Sequence, residues 1–93
     1  MSLAKRIHFT AHAREQMLAR RATAEETEAV IRSAPWQPAE HGRQTAAMVF
    51  PFRQEHFGRY YESKEVVPVF VEEPERIVVI TVYTFFSQRE VKP

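Results

Sequence analysis

The sequence contains no cysteine and only two glycines among its 93 residues. Without thiols the chain can form neither a disulfide framework nor a thiolate zinc site, and it has no cysteine nucleophile. The two glycines, Gly42 and Gly58, are too few and too far apart to build the loop that cradles phosphates in nucleotide-binding proteins. A domain of this size without cross-links depends on side-chain packing, and the lack of cysteine makes the cytoplasm the expected location.

The sequence also lacks an excess of charge of either sign and any long apolar run. Thirteen Lys and Arg residues face twelve Asp and Glu residues, and the formal net charge is +1. This balance excludes a histone-like polycation or a highly charged tail. No segment approaches the roughly 20 apolar residues that a membrane helix needs, and residues 1–6 lack the apolar stretch of a signal peptide. We therefore expect no membrane partner.

What the chain does have is enough apolar surface for one core. Hydrophobic residues make up 44% of the sequence and aromatic residues 12%, which argues against intrinsic disorder. Chains of this length rarely divide their hydrophobic residues between two cores. We therefore expect a single domain over residues 1–93.

The first third of the chain has the pattern of two helices. Thr10 can cap a helix that runs to about Arg20. Thr23 and Glu26 have the spacing of a capping box, in which each residue bonds the backbone N–H of the other. This second helix ends before Pro35, because a proline disfavours helical geometry in the residue before it.

From Gln44 onward apolar residues alternate with polar ones, which predicts strands. Pro51 cannot donate to a sheet ladder, so its strand is expected at an edge. The last strand, residues 77–86, is apolar on both faces, as a central strand is when both sides are covered. We predict an α+β fold in which two N-terminal helices pack on one face of a curved antiparallel sheet of about four strands. Because two short helices cover one face only, the sheet curls, the chain ends fold across it, or a second copy packs there.

A polar row on the first helix contains the best candidate for a catalytic residue. His12, Gln16 and Arg20 are spaced four apart and share one helical face. His12 lies in the positive end of the helix dipole, which favours the neutral imidazole that can act as a general base. The structural alternative is a histidine that bonds a backbone carbonyl and an arginine that is solvated at a helix end.

The near-zero net charge conceals a separation of charge along the sequence. Residues 1–21 carry five cationic residues against one Glu, a net +4, whereas residues 65–76 carry four Glu against one Arg, a net −3. Basic residues can contact phosphates, and Tyr60 or Tyr61 can stack on a base. The candidate nucleic-acid-binding residues are Arg14, Arg21, Arg53 and Arg59. The alternatives are a solvated charged face, strand tyrosines that only pack, or two copies that meet basic face to acidic face.

A metal site is not expected. His8 and His12 have the spacing of a helical pair of zinc ligands, but a cap at Thr10 breaks the helix between them. We expect no metal and no other cofactor.

Several short motifs resemble an uncharacterised bacterial family with a domain of unknown function, over nearly the whole chain. They are Phe9-Thr10-x-His12-Ala13-x-x-x-Met17-x-x-Arg20, Glu25-Glu26, Val30-Ile31 and Val79-x-Thr81-Val82-Tyr83. The resemblance implies a small α+β protein whose element order is similar to that of RelE/ParE-type toxins. This chain departs from those toxins in its nearly balanced charge, since ribosome-directed nucleases of that kind are usually strongly basic.

Three functions remain open at this point. The first is a toxin-like, metal-independent endoribonuclease in which His12 is the base or acid, Arg20 and Lys64 stabilise the phosphate, and Tyr61 donates or stacks. The second is a non-enzymatic interaction module that forms a homodimer or binds an antitoxin-like protein. The third is a ParE-like inhibitor of a larger enzyme. The expected partners are accordingly RNA, an antitoxin-like protein or a second copy.

Overall fold

The computed structural model describes residues 5–90, and residues 1–4 of the segment predicted to lack a signal peptide lie outside the described residues. Within them the chain forms two helices, six strands and a short 3-10 turn at Glu40–Gly42. In chain order the elements are β1 (Arg6–Phe9), α1 (Ala11–Arg20), α2 (Ala24–Ser33), β2 (Gln37–Pro38), β3 (Gln44–Thr45), β4 (Met48–His56), β5 (Arg59–Glu72) and β6 (Arg76–Ser87). Neither helix in this part of the chain is long and apolar enough to cross a membrane.

Both helices begin and end where the sequence predicts. The Thr10 hydroxyl accepts a hydrogen bond from the Ala13 N–H at 3.0 Å. Thr23 and Glu26 form the reciprocal capping box, with both hydrogen bonds at 3.0 Å. Helix α1 ends at Arg20, and α2 ends shortly before Pro35. The helix predictions are confirmed because these signals are local: each cap satisfies backbone groups within one turn of itself.

The sheet is open and mixed, with the order β1-β6-β5-β3-β2, and β4 pairs with β5 beside β3. The prediction of about four antiparallel strands is wrong in two respects. There are six strands, and β1 pairs with β6 in parallel. Strands β2 and β3 have two residues each, too few to show an alternating pattern. The parallel pairing joins segments about seventy residues apart, so no local pattern reports it.

Strand β5 is the centre of the sheet and runs without interruption through Pro68. The backbone of Pro68 faces the gap between β3 and β4. Thr45 of β3 pairs with Val69 on one side of this gap, and Met48 of β4 pairs with Val66 on the other. The Thr45 hydroxyl donates to the Pro68 carbonyl at 2.8 Å. Proline is tolerated in this central strand because no neighbouring strand requires an N–H at that position.

Strand β6 contains a β-bulge at Ile80, which decides which of its side chains enter the core. Val79 pairs with Phe70 and Thr81 with Val69, so Ile80 has no partner of its own. The extra residue reverses the alternation. Ile77 and Val79 before the bulge and Val82 after it are therefore all buried beneath the helices.

The helices cover one face of the sheet and leave the other open. Buried residues of α1, α2, β5 and β6 form a single hydrophobic cluster, so both helices lie on the same side. On the opposite side Val49, Tyr83 and Phe85 are exposed, and no helix of residues 5–90 packs there. The predicted one-sided coverage is confirmed. Strand β4, which contains Pro51, pairs with β5 alone and is an edge strand, as predicted.

Candidate functional site

His12 lies on the exposed surface in the first turn of α1. Its neighbour Ala13 is fully buried, so the helix orients the imidazole away from the core. Eight residues separate His12 from Arg20, a distance of about 12 Å along the helix axis. The two residues therefore lie at opposite ends of α1.

Arg20 ties the end of α1 to the outer edge of β6. Its Nη1 donates to the Val82 carbonyl at 2.9 Å, and its guanidinium carbon lies 4.9 Å from the centroid of the Tyr83 ring. In the other direction, the Thr84 hydroxyl donates to the Arg20 carbonyl at 2.9 Å. The side chain thus reaches around the strand edge, from the helix-covered face to the ring of Tyr83 on the open face.

Lys64 is a buried cation that joins α1, α2 and β5. Its side chain is only 4% exposed, and its Nζ lies 2.7 Å from Glu26 Oε1. Nζ also donates to the Arg21 carbonyl, a backbone acceptor at the end of α1, and lies 5.3 Å from the Phe52 ring centroid. Burying an ammonium group is tolerated only when it is paired in this way. The contacts of Lys64 are those of a structural ion pair.

A cavity of about 310 Å³ lies beside Lys64, where the α1–α2 junction meets β4. Arg21 lines it and donates from Nη2 to Gln54 Oε1 at 2.6 Å, with its guanidinium over the Phe52 ring. Glu26, on the same wall, is bonded to Lys64 and to the Thr23 N–H. Since these polar groups bond one another, the cavity presents little unused hydrogen-bonding capacity to a ligand.

Tyr61 belongs to an aromatic cluster at the end of β6. Its ring centroid lies 5.3 Å from that of Phe86, against which Phe52 also packs, at 5.0 Å. The His56 ring stacks on Phe86 at 4.5 Å and contacts the ring of Phe57 at 4.4 Å. Packing contacts of this kind account for the position of Tyr61.

The structure brings three of the four predicted catalytic residues to one end of the molecule. Arg20 contacts Thr84, while Lys64 pairs in the sheet with Phe86, against which Tyr61 packs. His12 lies at the other end of α1. The proposed base is therefore separated from the residues expected to bind the phosphate.

The predicted nucleic-acid-binding residues are spread over several elements. Arg14 lies on α1 with its guanidinium carbon 5.9 Å from the Phe9 ring, and Arg21 bonds Gln54. Arg53 and Arg59 lie on the β4–β5 hairpin, and both are exposed. These four residues do not share a strand or a helix face.

Acidic residues offset the two arginines of the β4–β5 hairpin. Arg53 Nε lies 3.7 Å from Glu62 Oε1, and Glu55 lies on the same hairpin. Glu62 also accepts a hydrogen bond from the Tyr60 hydroxyl at 2.9 Å, and this bond raises the pKa of Tyr60 above its ordinary value. Two Arg and two Glu give residues 53–62 a formal net charge of zero, which provides no general attraction for a polyanion.

The separation of charge along the sequence is partly cancelled in space. Lys5 from the basic N-terminal segment binds Glu72 of the acidic hairpin, with 2.7 Å between Nζ and Oε2, and donates to the Glu73 carbonyl. Arg76 pairs with Glu73 at 2.9 Å. The acidic hairpin is thus partly neutralised within the same chain.

The histidines and carboxylates of residues 5–90 do not form a group of three that could hold a metal ion. His8 lies on β1 and His12 on α1, so the spacing that resembles a zinc pair is divided between two elements. As expected from the sequence, the Thr10 cap separates them.

Sequence reasoning missed the most exposed aromatic side chain at the β4–β5 turn. Phe57 is 91% exposed and has a φ of +52°, followed by Gly58 at +76°. Two successive positive φ values are typical of a type I′ hairpin turn, which favours Asn-Gly and disfavours bulky residues at the first position. The dipeptide Phe57-Gly58, with glycine at the second turn position, was the signal available in the sequence.

The second missed feature is an open backbone edge on β6. The Pro68 carbonyl points to Thr45, away from β6, so the paired residue Val82 directs its own backbone away from β5. Because every second residue of a strand directs its backbone groups to the same side, Thr84 and Phe86 also direct theirs away from β5. Strand β1 ends at Phe9, opposite Val79, and therefore does not extend alongside them.

Comparison of the chain with protein-family models, curated proteins and solved structures gives no match.

Proposed function

We propose that this protein is a non-enzymatic interaction module that forms a homodimer through the open side of its sheet. The open face is defined here by Val49, Val67, Val69, Tyr83 and Phe85. The observation that carries the proposal is the exposure of large apolar side chains on paired strands, with Phe85 57% exposed and Tyr83 43%. Glu65 lies on the same face, paired with Val49 on one side and with Phe85 on the other. Several large apolar side chains exposed together on a rigid sheet are typical of an interaction site.

The energetics favour covering this face. Complete burial of one large apolar side chain stabilises a complex by about 1.5–3 kcal/mol. A two-fold symmetric dimer buries each such residue twice, once from each copy. Strand residues also lose little conformational freedom on binding, because the sheet already fixes their backbone.

The positions of the cations also support a binding rather than a catalytic role. Lys64 and Arg21 are bonded within the chain, and Arg20 holds the edge of β6. His12 lies about 12 Å from Arg20 along α1. An antitoxin-like protein is an alternative partner for the same open face.

A cytoplasmic location is in keeping with a chain that has no cysteine.

Sedimentation equilibrium at micromolar concentration tests the proposal. The expected mass is twice the 10.9 kDa of one chain. Phe85→Lys should shift the protein to monomer, because it places a charge on the surface to be buried. Leu18→Lys is the matched control: Leu18 is 83% exposed but lies on α1, so this variant should remain dimeric. A monomeric wild-type protein at this concentration contradicts the proposal.

The second candidate function is the RelE/ParE-like, metal-independent endoribonuclease, favoured by the proximity of Arg20, Lys64 and Tyr61 to the end of β6. Incubation of purified protein with RNA, in parallel with His12→Ala, tests it. The interaction module predicts no cleavage by either protein. Cleavage that His12→Ala abolishes would replace the interaction module with the nuclease.

A further inference from the structure

We infer that the second copy binds by antiparallel pairing of β6 with β6 of its partner, about a two-fold axis at Thr84. This inference rests on the proposed homodimer and narrows its contact to the β6 edge of the open face, where Tyr83 and Phe85 of one copy meet Phe85 and Tyr83 of the other, while Val49 stays uncovered. Pairing would join the two sheets into one continuous sheet and place the open faces of both copies side by side.

The outer edge of β6 offers the backbone groups that such pairing needs. Val82, Thr84 and Phe86 direct their N–H and C=O groups away from β5, beyond the end of β1. A two-fold axis at Thr84 uses all three of these residues. An axis moved by two residues in either direction would involve the bulge at Ile80 or the charged segment that begins at Arg89.

The other long edge of the sheet is unsuited to pairing. Strand β4 contains Pro51, which has no N–H to donate. A register shift follows between Pro51 and Gln54, where Arg53 has a φ of +52°. Proline, a bulge and a charged residue are the features by which edge strands avoid pairing with other chains. Strand β6 has none of them between Val82 and Phe86.

The sequence of this edge is complementary to itself. Antiparallel pairing about Thr84 places Thr84 opposite Thr84, Val82 opposite Phe86, and Tyr83 opposite Phe85. Threonine pairs and aromatic pairs of this kind stabilise adjacent strands. Residues 77–88 contain no charged side chain, so the two-fold axis brings no like charges together. This self-complementarity favours a second copy over an unrelated strand.

Arg20 is the one described side chain that must adjust. Its Nη1 donates to the Val82 carbonyl. In the dimer this carbonyl would instead accept a hydrogen bond from the backbone N–H of Phe86 in the other copy. Replacing Arg20 with Ala frees this carbonyl in both copies, so Arg20→Ala should lower the dissociation constant of the dimer roughly thirtyfold, the effect of about two net hydrogen bonds. A dissociation constant that is unchanged or higher would contradict pairing at this edge.

Disulfide cross-linking tests the position of the axis, because the chain has no native cysteine. Directly opposed Thr84 residues would form a hydrogen-bonded pair with Cα atoms about 5.5 Å apart, within the range of a disulfide. Thr84→Cys should therefore form a covalent dimer under mild oxidation. Ser87→Cys, on the same strand, is the control: it would lie roughly 20 Å from its mate and should not cross-link.

The outcomes separate this inference from the proposed function. A Val49→Lys variant tests stacking of open face on open face, since Val49 is exposed on β4, away from the β6 edge. A dimer that survives Val49→Lys and cross-links through Thr84→Cys supports edge pairing. A dimer that Val49→Lys dissociates and Thr84→Cys fails to cross-link overturns edge pairing but keeps the homodimer. A monomer under all conditions overturns both, and thermal unfolding of each reduced variant verifies that it folds.

Discussion

At the scale of single residues, Lys64 shows how a candidate for chemistry can be a structural element instead. In the sequence it is a cation on a strand, available for phosphate binding. In the structure it is buried, paired with Glu26 on α2 and bonded to the Arg21 carbonyl at the end of α1. Neither partner lies near it in sequence, so no spacing rule could reveal the pair. One lysine thus joins three elements of the fold.

Replacing Lys64 with Met should destabilise the protein by about 3 kcal/mol, measured by urea unfolding. The substitution preserves side-chain length but leaves the Glu26 carboxylate without its cation, the situation in which broken buried pairs are most costly. The lower end of the usual range applies because the Glu26 side chain remains 23% exposed. Glu26→Gln combined with Lys64→Met should recover part of the loss. An unchanged unfolding midpoint in Lys64→Met would show that the pair contributes nothing.

For Phe57 we expect the opposite effect, because its replacement should stabilise the fold. A non-glycine residue in the left-handed region costs roughly 1–2 kcal/mol, and asparagine tolerates this conformation best. Phe57→Asn should therefore raise the free energy of unfolding by about 1 kcal/mol, seen as a higher Tm. Phe57→Ala removes the same ring but keeps the unfavourable φ. If the two variants have equal stability, backbone strain at Phe57 is not the cause.

At the scale of elements, the sequence predicts what is locally encoded. Thr10, Thr23 and Pro35 mark the helix ends because caps and proline act within one turn. The alternation from Gln44 onward identifies strands for the same reason, since the period of two is a property of each strand alone. The presence of Pro51 at an edge also follows from local chemistry, the missing N–H.

Strand β6 shows where local patterns fail. Its apolar run reads as a strand buried on both faces, but the bulge at Ile80 moves the alternation by one residue. Tyr83 and Phe85 then belong to the open face, while Val82 is buried. The position of a bulge depends on pairing with β5, which is a partner in space and not in sequence. The exposed aromatic pair, and with it the interaction surface, could not be assigned from the run itself.

At the scale of the whole molecule, charges separated along the chain are brought together by folding. The parallel pairing of β1 with β6 places Lys5 next to Glu72, so the basic and acidic segments bind each other within one copy. This pairing weakens the driving force for a dimer that joins the basic face of one copy to the acidic face of another. What remains available for association is the uncharged strand and the open face beside it.

The dimer should accordingly be insensitive to salt. Raising the NaCl concentration screens surface charges within a few ångströms but leaves apolar burial intact or slightly stronger. Sedimentation equilibrium at low and at high NaCl should therefore give the same dissociation constant. A marked weakening at high salt would indicate that charge pairs between the copies hold the dimer, contrary to the neutralisation seen within each chain.

The sequence by itself determined the α+β class, the helix boundaries, the edge position of Pro51 and the exclusion of thiol chemistry, because each depends on residue type or on neighbours within a few positions. Only the tertiary structure decided that Lys64 is paired, that His12 lies apart from Arg20, and that β6 presents an open edge and two exposed aromatic residues. These features arise from contacts between distant segments, where pairing register and burial select the partner of each side chain.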